Sequence, residues 1–312
     1  MDGRFVVEAS QSLEEYTQKE KIPANTYIGE LPKDTAQWLD RFEVVEISEP
    51  RCWRLIRRLD DGQSEEAVFS LHELPPVTEL PRMGARSHPF LRQSVTLTGL
   101  STDVFEAAVD RSQEVYNKFQ RFFPENQLLP WGAMNCTITD GRTLTFSNRY
   151  FTRRQEAPTI RAIPFTYDVD PKRLLTQLVT GHLFHSSDNE VSYYTRYKDE
   201  DHQLVHDFTN PQTFRIGDIV DVQFSFVVYR MRTGEHIMKP MLFSIALVNG
   251  QFSDAYTQRM KMTTSSANPA VKRRTGYDTA RPSKIRRTET VTPDGSGNVE
   301  ELPTVEMKDM RI

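Results

Sequence analysis

Residues 219–228 read IVDVQFSFVV, and the alternation in this stretch determines the fold class. The apolar side chains on one face are Val220, Val222, Phe224, Phe226 and Val228. The polar side chains between them are Asp221, Gln223 and Ser225. A period of two with β-branched and aromatic residues predicts a half-buried β-strand. We therefore expect Phe224 and Phe226 to be buried, and the three polar side chains to be more exposed.

The residues after this strand predict its partner. A turn is predicted at Thr233-Gly234-Glu235, and a returning strand alternates Met241, Phe243, Ile245 and Leu247. Pro240 is expected at the start of that strand or at a sheet edge, because proline has no N–H to donate. The apolar parity changes after Val228, which predicts a bulge or a strong twist nearby. Together these signals predict a long antiparallel hairpin.

The residues upstream predict one short helix and two further strands. Asp170-Pro171 is typical of a helix start, and Gly181 is typical of a helix end. Residues 191–197 and 203–208 are rich in aromatic and β-branched side chains, which indicates strands. Upstream again, residues 41–74 predict a meander of three short strands, followed by prolines that predict a linker.

Residues 102–123 contain the clearest helix of the chain. Its apolar stripe follows the spacing i, i+3, i+4, i+7: Val104, Phe105, Ala108, Val109, Val115, Tyr116, Phe119, Phe122 and Phe123, with Ser112 on the same face. Pro124 ends the pattern. An aromatic stripe of this kind usually packs in the core, and the alternative is a helix that binds a partner or a second copy.

Composition and pattern together predict an α+β fold: a β-rich antiparallel body with one long amphipathic helix and a disordered C-terminal tail. Of the 312 residues, 38% are hydrophobic and 26% charged, which fits a soluble body with disordered ends. No apolar run is long enough for a bilayer, and two cysteines suit a reducing compartment. We expect four segments: a loosely structured N-terminus (1–40), a β meander with a Pro-rich linker (41–87), the main α+β body (88–257) and the tail (258–312).

Several stretches resemble a family of uncharacterised proteins of mushroom-forming (basidiomycete) fungi. They are DVDP at 168–171, DNEVSYY at 188–194, FRIGDIVDVQFSF at 214–226 and MLFSIALVNGQF at 241–252. The resemblance covers residues 158–252. It implies a eukaryotic intracellular setting, and it carries over no activity and no catalytic or binding residue.

The charge is unevenly distributed along the chain. Residues 259–287 hold nine Lys and Arg against one acid, and residues 288–312 hold six acids against two bases. With a total of −4, the remaining residues 1–258 carry −8. The body as a whole is therefore not a basic nucleic-acid binder, and any such surface has to be local.

Two basic clusters in the tail resemble a bipartite nuclear localisation signal. Lys272 and Arg273 form the first cluster, and Lys284, Arg286 and Arg287 form the second after a ten-residue spacer. Both clusters could occupy acidic grooves of a nuclear import receptor. They predict residence in the nucleus, or in cytoplasm and nucleus. The alternatives are a solvated tail or an electrostatic contact with DNA.

A third basic stretch mixes arginine with aromatic side chains. Residues 142–161 hold five Arg against Glu156 alone. Its candidate nucleic-acid-binding residues are Arg149, Tyr150, Phe151, Arg153 and Arg154. Guanidinium groups suit phosphates, and aromatic faces stack on unpaired bases. The alternative, which the acidic body favours, is a strand edge whose aromatic side chains face the core.

Four of the seven histidines, His182, His185, His202 and His206, fall within 25 residues. Metal sites use such residues, but His202 and His206 share a face only on a helix, whereas this stretch predicts a strand. The sequence contains no Walker loop, GxGxxG fingerprint, HExxH motif, GxSxG elbow or paired CxxC, although an enzyme with dispersed catalytic residues would also lack them. We predict a non-enzymatic nuclear binding module that contacts nucleic acid or chromatin, without cofactor or metal. The alternatives are a metal-dependent enzyme that uses the histidines and a partner-assembly protein that uses the long helix. The oligomeric state stays open.

Overall fold

The computed structural model describes Gln11 and residues 26–77, 91–100, 102–132, 134–135 and 142–253. Within them the protein is β-rich and contains one long helix, as predicted. The predicted disordered tail (258–312), with both of its basic clusters, lies outside the described residues. None of the helices within these ranges is long and apolar enough to cross a membrane.

The named α-helices within the described residues are α1 (Asp103–Phe122) and α2 (Leu174–Leu178), and short 3-10 helices lie at Ile28–Glu30, Thr35–Gln37, Ser187–Asn189 and Pro211–Thr213. The strands are β1 (Glu43–Ser48), β2 (Arg51–Arg58), β3 (Ser64–Glu66), β4 (Phe69–Val77), β5 (Arg92–Thr98), β6 (Met134–Asn135), β7 (Arg142–Arg149), β8 (Thr152–Arg153), β9 (Leu183–Phe184), β10 (Ser192–Lys198), β11 (Leu204–Phe208), β12 (Ile219–Arg230) and β13 (His236–Asn249).

Five of these strands curl into a partly open barrel. Antiparallel ladders join β7 to β5, β5 to β4, β4 to β12 and β12 to β13. β7 then lies against β13, where the Asn148 side-chain amide donates to the carbonyl of Leu242 at 3.1 Å. In chain order, the five strands of the barrel are β4, β5, β7, β12 and β13. Round the barrel, β4 is followed by β5, β7, β13 and β12, and β12 pairs with β4. This is the five-stranded, partly open barrel known as the OB-fold.

The predicted hairpin is present as β12 and β13, and its apolar face fills the barrel. Phe224 and Phe226 are buried, as expected. The expectation that Asp221 and Ser225 are more exposed is wrong, because other elements cover the outer face of β12. Ser225 Oγ donates to Glu66 Oε1 at 2.6 Å, and Asp221 accepts from Arg196 at 3.1 Å.

One detail of the hairpin differs from the sequence expectation. The register shifts lie between Ile219 and Val220 and between Gln223 and Phe224, rather than after Val228. Pro240 lies inside β13, opposite Phe226. The parallel ladder from β10 covers only residues 244–247 of β13, so among the described residues no ladder pairs with the other side of β13 at Pro240, which matches the expected edge position.

Helix α1 packs its apolar stripe into the main core, which confirms the core interpretation of this helix. Phe105, Ala108, Val115 and Phe119 have no exposed surface and share one cluster with the barrel interior. The approach is close enough that a Cβ at Gly99 would lie 2.0 Å from the Cβ of Phe105. The alternative of a helix with an exposed apolar stripe is not what the structure contains.

The N-terminal strands belong to the same sheet as the barrel. β1, β2 and β3 form an antiparallel meander, and β2 pairs with the far half of β12. Before them, Ile28, Trp38 and Leu39 are buried in the main core, although this segment was expected to be loosely structured. β4 continues through residues 75–77, which were assigned to a linker, and residues 78–90 lie outside the description. The four-segment division itself stays a prediction.

Candidate functional site

The two aromatic residues of the predicted nucleic-acid segment lie in the core. Tyr150 is 6% and Phe151 1% exposed, and both pack in a small cluster with Leu91 and Leu175. Burial raises the pKa of Tyr150 to about 12. A stacking role would require both rings to leave this cluster, so the structure matches the alternative in which the aromatic side chains face inward.

The three arginines of the segment have different surroundings. Arg154 donates to the carbonyl of Ile160 at 2.7 Å and lies 3.7 Å from the ring centroid of Phe184, so it fastens the local chain. Both other arginines contact the carboxylate of Glu156: Arg149 Nη1 lies 2.5 Å from Oε2, and Arg153 Nε lies 4.0 Å from Oε1. Unlike Arg154, these two arginines line an open cleft on the barrel surface.

We call this the basic cleft, a groove of about 780 Å³ across the barrel surface. Its walls come from the ends of β5 and β7, the β12–β13 hairpin and its turn, and the β1–β2 turn. Among the described residues, its cationic side chains are Arg51, Arg92, Arg149, Arg153, Arg230, Arg232 and Lys239. The only carboxylate in the same lining is that of Glu156. The cleft is therefore strongly cationic on a body that is acidic overall.

The centre of the basic cleft brings like charges together. Arg92 on β5 and Arg149 on β7 are direct partners in the antiparallel ladder. Burial lowers the pKa of Arg92, and the charge of Arg149 lowers it further. Burial also lowers the pKa of Lys239 on β13, with the charge of Arg92 acting in the same direction. Three strands thus hold cations close together: the charge of Arg149 lowers the pKa of Arg92, and the charge of Arg92 lowers the pKa of Lys239.

Few of these charges are neutralised inside the protein. Arg51 pairs with Glu46 at 2.5 Å, and Arg149 with Glu156. Arg153 also contacts Glu156. The other four cations are Arg92, Arg230, Arg232 and Lys239, and none of them forms an ion pair with a carboxylate of the described residues. The half-buried Tyr229 also lines the cleft, and its hydroxyl donates to the sulfur of Met241 at 3.2 Å. The cleft therefore offers unneutralised cations beside a neutral aromatic ring.

Sequence reasoning identified Arg149 and Arg153 but missed the rest of the basic cleft. The missed cations sit on strands and turns far apart in the chain, and only the barrel brings them together. One local signal was available, because Arg230-Met231-Arg232 places two arginines at the predicted hairpin turn. The residues assigned to nuclear localisation lie outside the description, and their role stays a prediction.

The four clustered histidines are not brought together. His185 is buried, and its Nδ1 lies 2.9 Å from the carbonyl of Tyr150, while its ring stacks on Phe165. His202 lies in the turn between β10 and β11, and His206 lies on β11. Among the described residues, no group of three His, Cys, Asp or Glu side chains could hold a metal ion. The metal-enzyme hypothesis thus has no candidate centre there.

Comparisons with known proteins gave the following. No protein-family model matches the chain, and no curated protein matches it. Among solved structures, the chain is similar to gp2.5, a single-stranded DNA-binding protein encoded by bacteriophage T7, with 14% identity and a TM-score of 0.33. That match covers 58% of this chain and 91% of the phage chain.

A second similarity is to the single-stranded DNA-binding protein from bacteriophage Enc34 in complex with ssDNA, at 8% identity and a TM-score of 0.31. It covers 67% of this chain and 97% of that chain. A C-terminal truncation of the Enc34 protein gives 11% identity, a TM-score of 0.29, and 67% and 96% coverage. Because these identities and TM-scores are low, we infer nothing about function from the likeness.

Proposed function

We propose that this protein is a non-enzymatic binding module that holds the phosphate backbone of nucleic acid in the basic cleft. The observation that carries the proposal is the charge of the cleft: seven cationic side chains and one carboxylate line it. Residues 1–258 carry −8, so the charge of the cleft is opposite in sign to that of the body around it. A local cationic groove on an acidic body is the electrostatic footprint of a polyanion ligand.

The internal energetics of the cleft support an anionic ligand. Like charges directly opposite each other destabilise an antiparallel pair, and Arg92 and Arg149 are such a pair. A phosphate between the two guanidinium groups would replace this repulsion with charge-assisted hydrogen bonds. A repeating phosphate backbone, unlike a single anion, could engage the cations of β5, β7 and the β12–β13 turn together.

The position of the cleft on the barrel supports the same proposal. OB-folds bind oligonucleotides and oligosaccharides on the face of their second and third strands and at the loop between the fourth and fifth. In this barrel those elements are β5, β7 and the turn at residues 231–235, and all three line the cleft. The fold alone does not specify a ligand. The charge favours nucleic acid over a neutral oligosaccharide.

Residence in the nucleus is part of the proposal. It depends on the two basic clusters of the tail, Lys272-Arg273 and Lys284 to Arg287, which lie outside the described residues. Substitution of the two tail clusters should reduce nuclear import, whereas substitution of the cations in the basic cleft should reduce binding. The two effects should therefore be separable.

The test measures binding of labelled single-stranded and duplex oligonucleotides by fluorescence anisotropy over a range of salt concentrations. The full chain is used, with the five tail residues of the two clusters changed to alanine in every sample, so that tail contacts are reduced equally. Changing Arg92, Arg230 and Arg232 to Gln should weaken binding and flatten the dependence of log K on log salt by about three, one per lost phosphate contact.

A matched control changes three exposed cations that do not line the cleft, Lys33, Arg58 and Lys172, to Gln. It alters the net charge by the same amount. Equal weakening in both triple variants would show a non-specific charge effect and would contradict the cleft. Absence of salt-sensitive binding by the parent protein would contradict the proposed function itself.

A further inference from the structure

A second pocket, of about 510 Å³, opens beside the basic cleft. We call it the side pocket. Arg51, Arg230 and Thr233 line both cavities. The two cavities are therefore adjacent and share a wall that contains two arginines.

The side pocket contains a half-exposed aromatic ring. Phe122 is the last residue of α1, whose apolar face is otherwise buried, yet 51% of Phe122 is exposed. The ring meets Phe123 edge-on, with centroids 5.4 Å apart and planes at 79°. Phe123 is itself buried and packs against Trp53, so Phe122 has a rigid support beneath it.

Two amide side chains lie next to this ring. Asn126 and Gln127 are exposed and line the side pocket, and neither side chain has a hydrogen-bond partner recorded among the described residues. The backbone of Gln127 is held in place, since its carbonyl accepts from His236 N at 2.7 Å and its N–H donates to the carbonyl of Pro124 at 3.1 Å. An amide both donates and accepts, which matches the mixed edge of a nucleobase.

The charge of the side pocket differs from that of the basic cleft. Its two carboxylates, Glu46 and Glu235, offset the shared Arg51 and Arg230, and Glu46 pairs directly with Arg51. A phosphate would therefore gain little here, whereas a neutral base would lose little. The division between a cationic groove and a neutral aromatic pocket suits the two parts of a nucleotide.

We propose that the side pocket accepts an unstacked nucleobase of a single strand whose phosphates lie in the basic cleft. Phe122 stacks on the base, and Asn126 and Gln127 contact its edge. The inference rests on the proposed function and goes beyond it, because it selects single strands over duplexes. A base in a duplex is already paired and stacked, so only a free base can enter the pocket.

The test compares the full chain with its Phe122→Ala variant, using three probes: a labelled single-stranded oligonucleotide, an abasic strand of the same length, and a duplex. Phe122→Ala should weaken binding of the single strand about 5- to 160-fold, the range expected for loss of one base–aromatic stack. Binding of the abasic strand and of the duplex should not change. Phe122→Tyr, which keeps a ring, should restore the affinity.

The matched control is Phe208→Ala, which removes a ring that is 73% exposed but lies in neither cavity. It should bind all three probes as the parent does. Unchanged binding of the single strand by Phe122→Ala, or equal weakening with the abasic strand, would overturn the side-pocket proposal and leave the cleft intact. If the parent protein binds none of the probes, the proposed function fails, and the two failures are thereby distinguished.

Discussion

Arg92 and Arg149 are direct cross-strand partners, and both line the basic cleft. Arg149 has a carboxylate partner in Glu156, whereas Arg92 has no ion pair with a carboxylate of the described residues. Two like charges facing each other across a ladder lower the stability of the free protein. A phosphate bound as proposed would remove that cost, and this pair would then couple folding stability to ligand binding.

The first prediction follows from this pair. Arg92→Gln should leave the free energy of unfolding unchanged or raise it by up to about 1 kcal/mol, because it removes a like-charge pair. The same change should flatten the salt dependence of oligonucleotide binding by about one. Urea melts and anisotropy titrations measure the two effects. The control is Arg58→Gln, at the last residue of β2 and outside the cleft, which should not reduce binding. A large loss of stability in Arg92→Gln would contradict the like-charge repulsion.

The second prediction concerns the barrel interior. Phe224 is fully buried on β12 and packs against Phe69 and Phe146. Phe224→Ala should lower the free energy of unfolding by about 3–5 kcal/mol, through lost burial and the cavity left behind. Phe208→Ala, at an exposed position, should cost no more than about 0.5 kcal/mol in the same denaturant melt. A cost below about 1 kcal/mol for Phe224→Ala would show that β12 does not form the core.

The third prediction concerns pH. Burial lowers the pKa of His185 and of His236 from 6.5. At a pH between 6.5 and the lower pKa of these histidines in the folded protein, the unfolded chain binds more protons than the folded one. The free energy of unfolding should therefore fall as the pH is lowered from about 7 to about 5. Urea melts across this range should show a smaller fall for His185→Gln than for the parent.

The control for this pH effect is His182→Gln, which removes a histidine from an exposed position. It should follow the pH dependence of the parent protein. If His185→Gln keeps the full dependence of the parent, the buried His185 is not its source.

The fourth prediction concerns the cellular location and depends on the sequence alone. A fluorescent fusion of the full chain should accumulate in nuclei, and changing Lys272, Arg273, Lys284, Arg286 and Arg287 to alanine should abolish that enrichment. The Arg92, Arg230, Arg232 triple variant is the control, because it should lose binding and keep import. Equal nuclear entry by the five-alanine variant and the parent would refute the localisation signal.

Sequence alone could identify elements whose burial repeats along a single segment. The alternation of residues 219–228 predicted β12 and the burial of Phe224, and the stripe of residues 102–123 predicted α1 and its core face. Both patterns are local, because the period of a strand or helix is set by its own backbone. The same local rule misassigned Asp221, since it says nothing about which other strands cover the outer face of β12.

The sequence by itself determined the β-rich body, the long hairpin and the buried face of the long helix, because each depends on periodicity within one segment. Only the tertiary structure decided the candidate site. The basic cleft collects Arg92, Arg149, Arg230 and Lys239 from four different strands, and the closing of the barrel sets their distances. The exposure of Phe122 beside this cleft has the same origin. Charge proximity across strands depends on strand order, and no local pattern encodes that order.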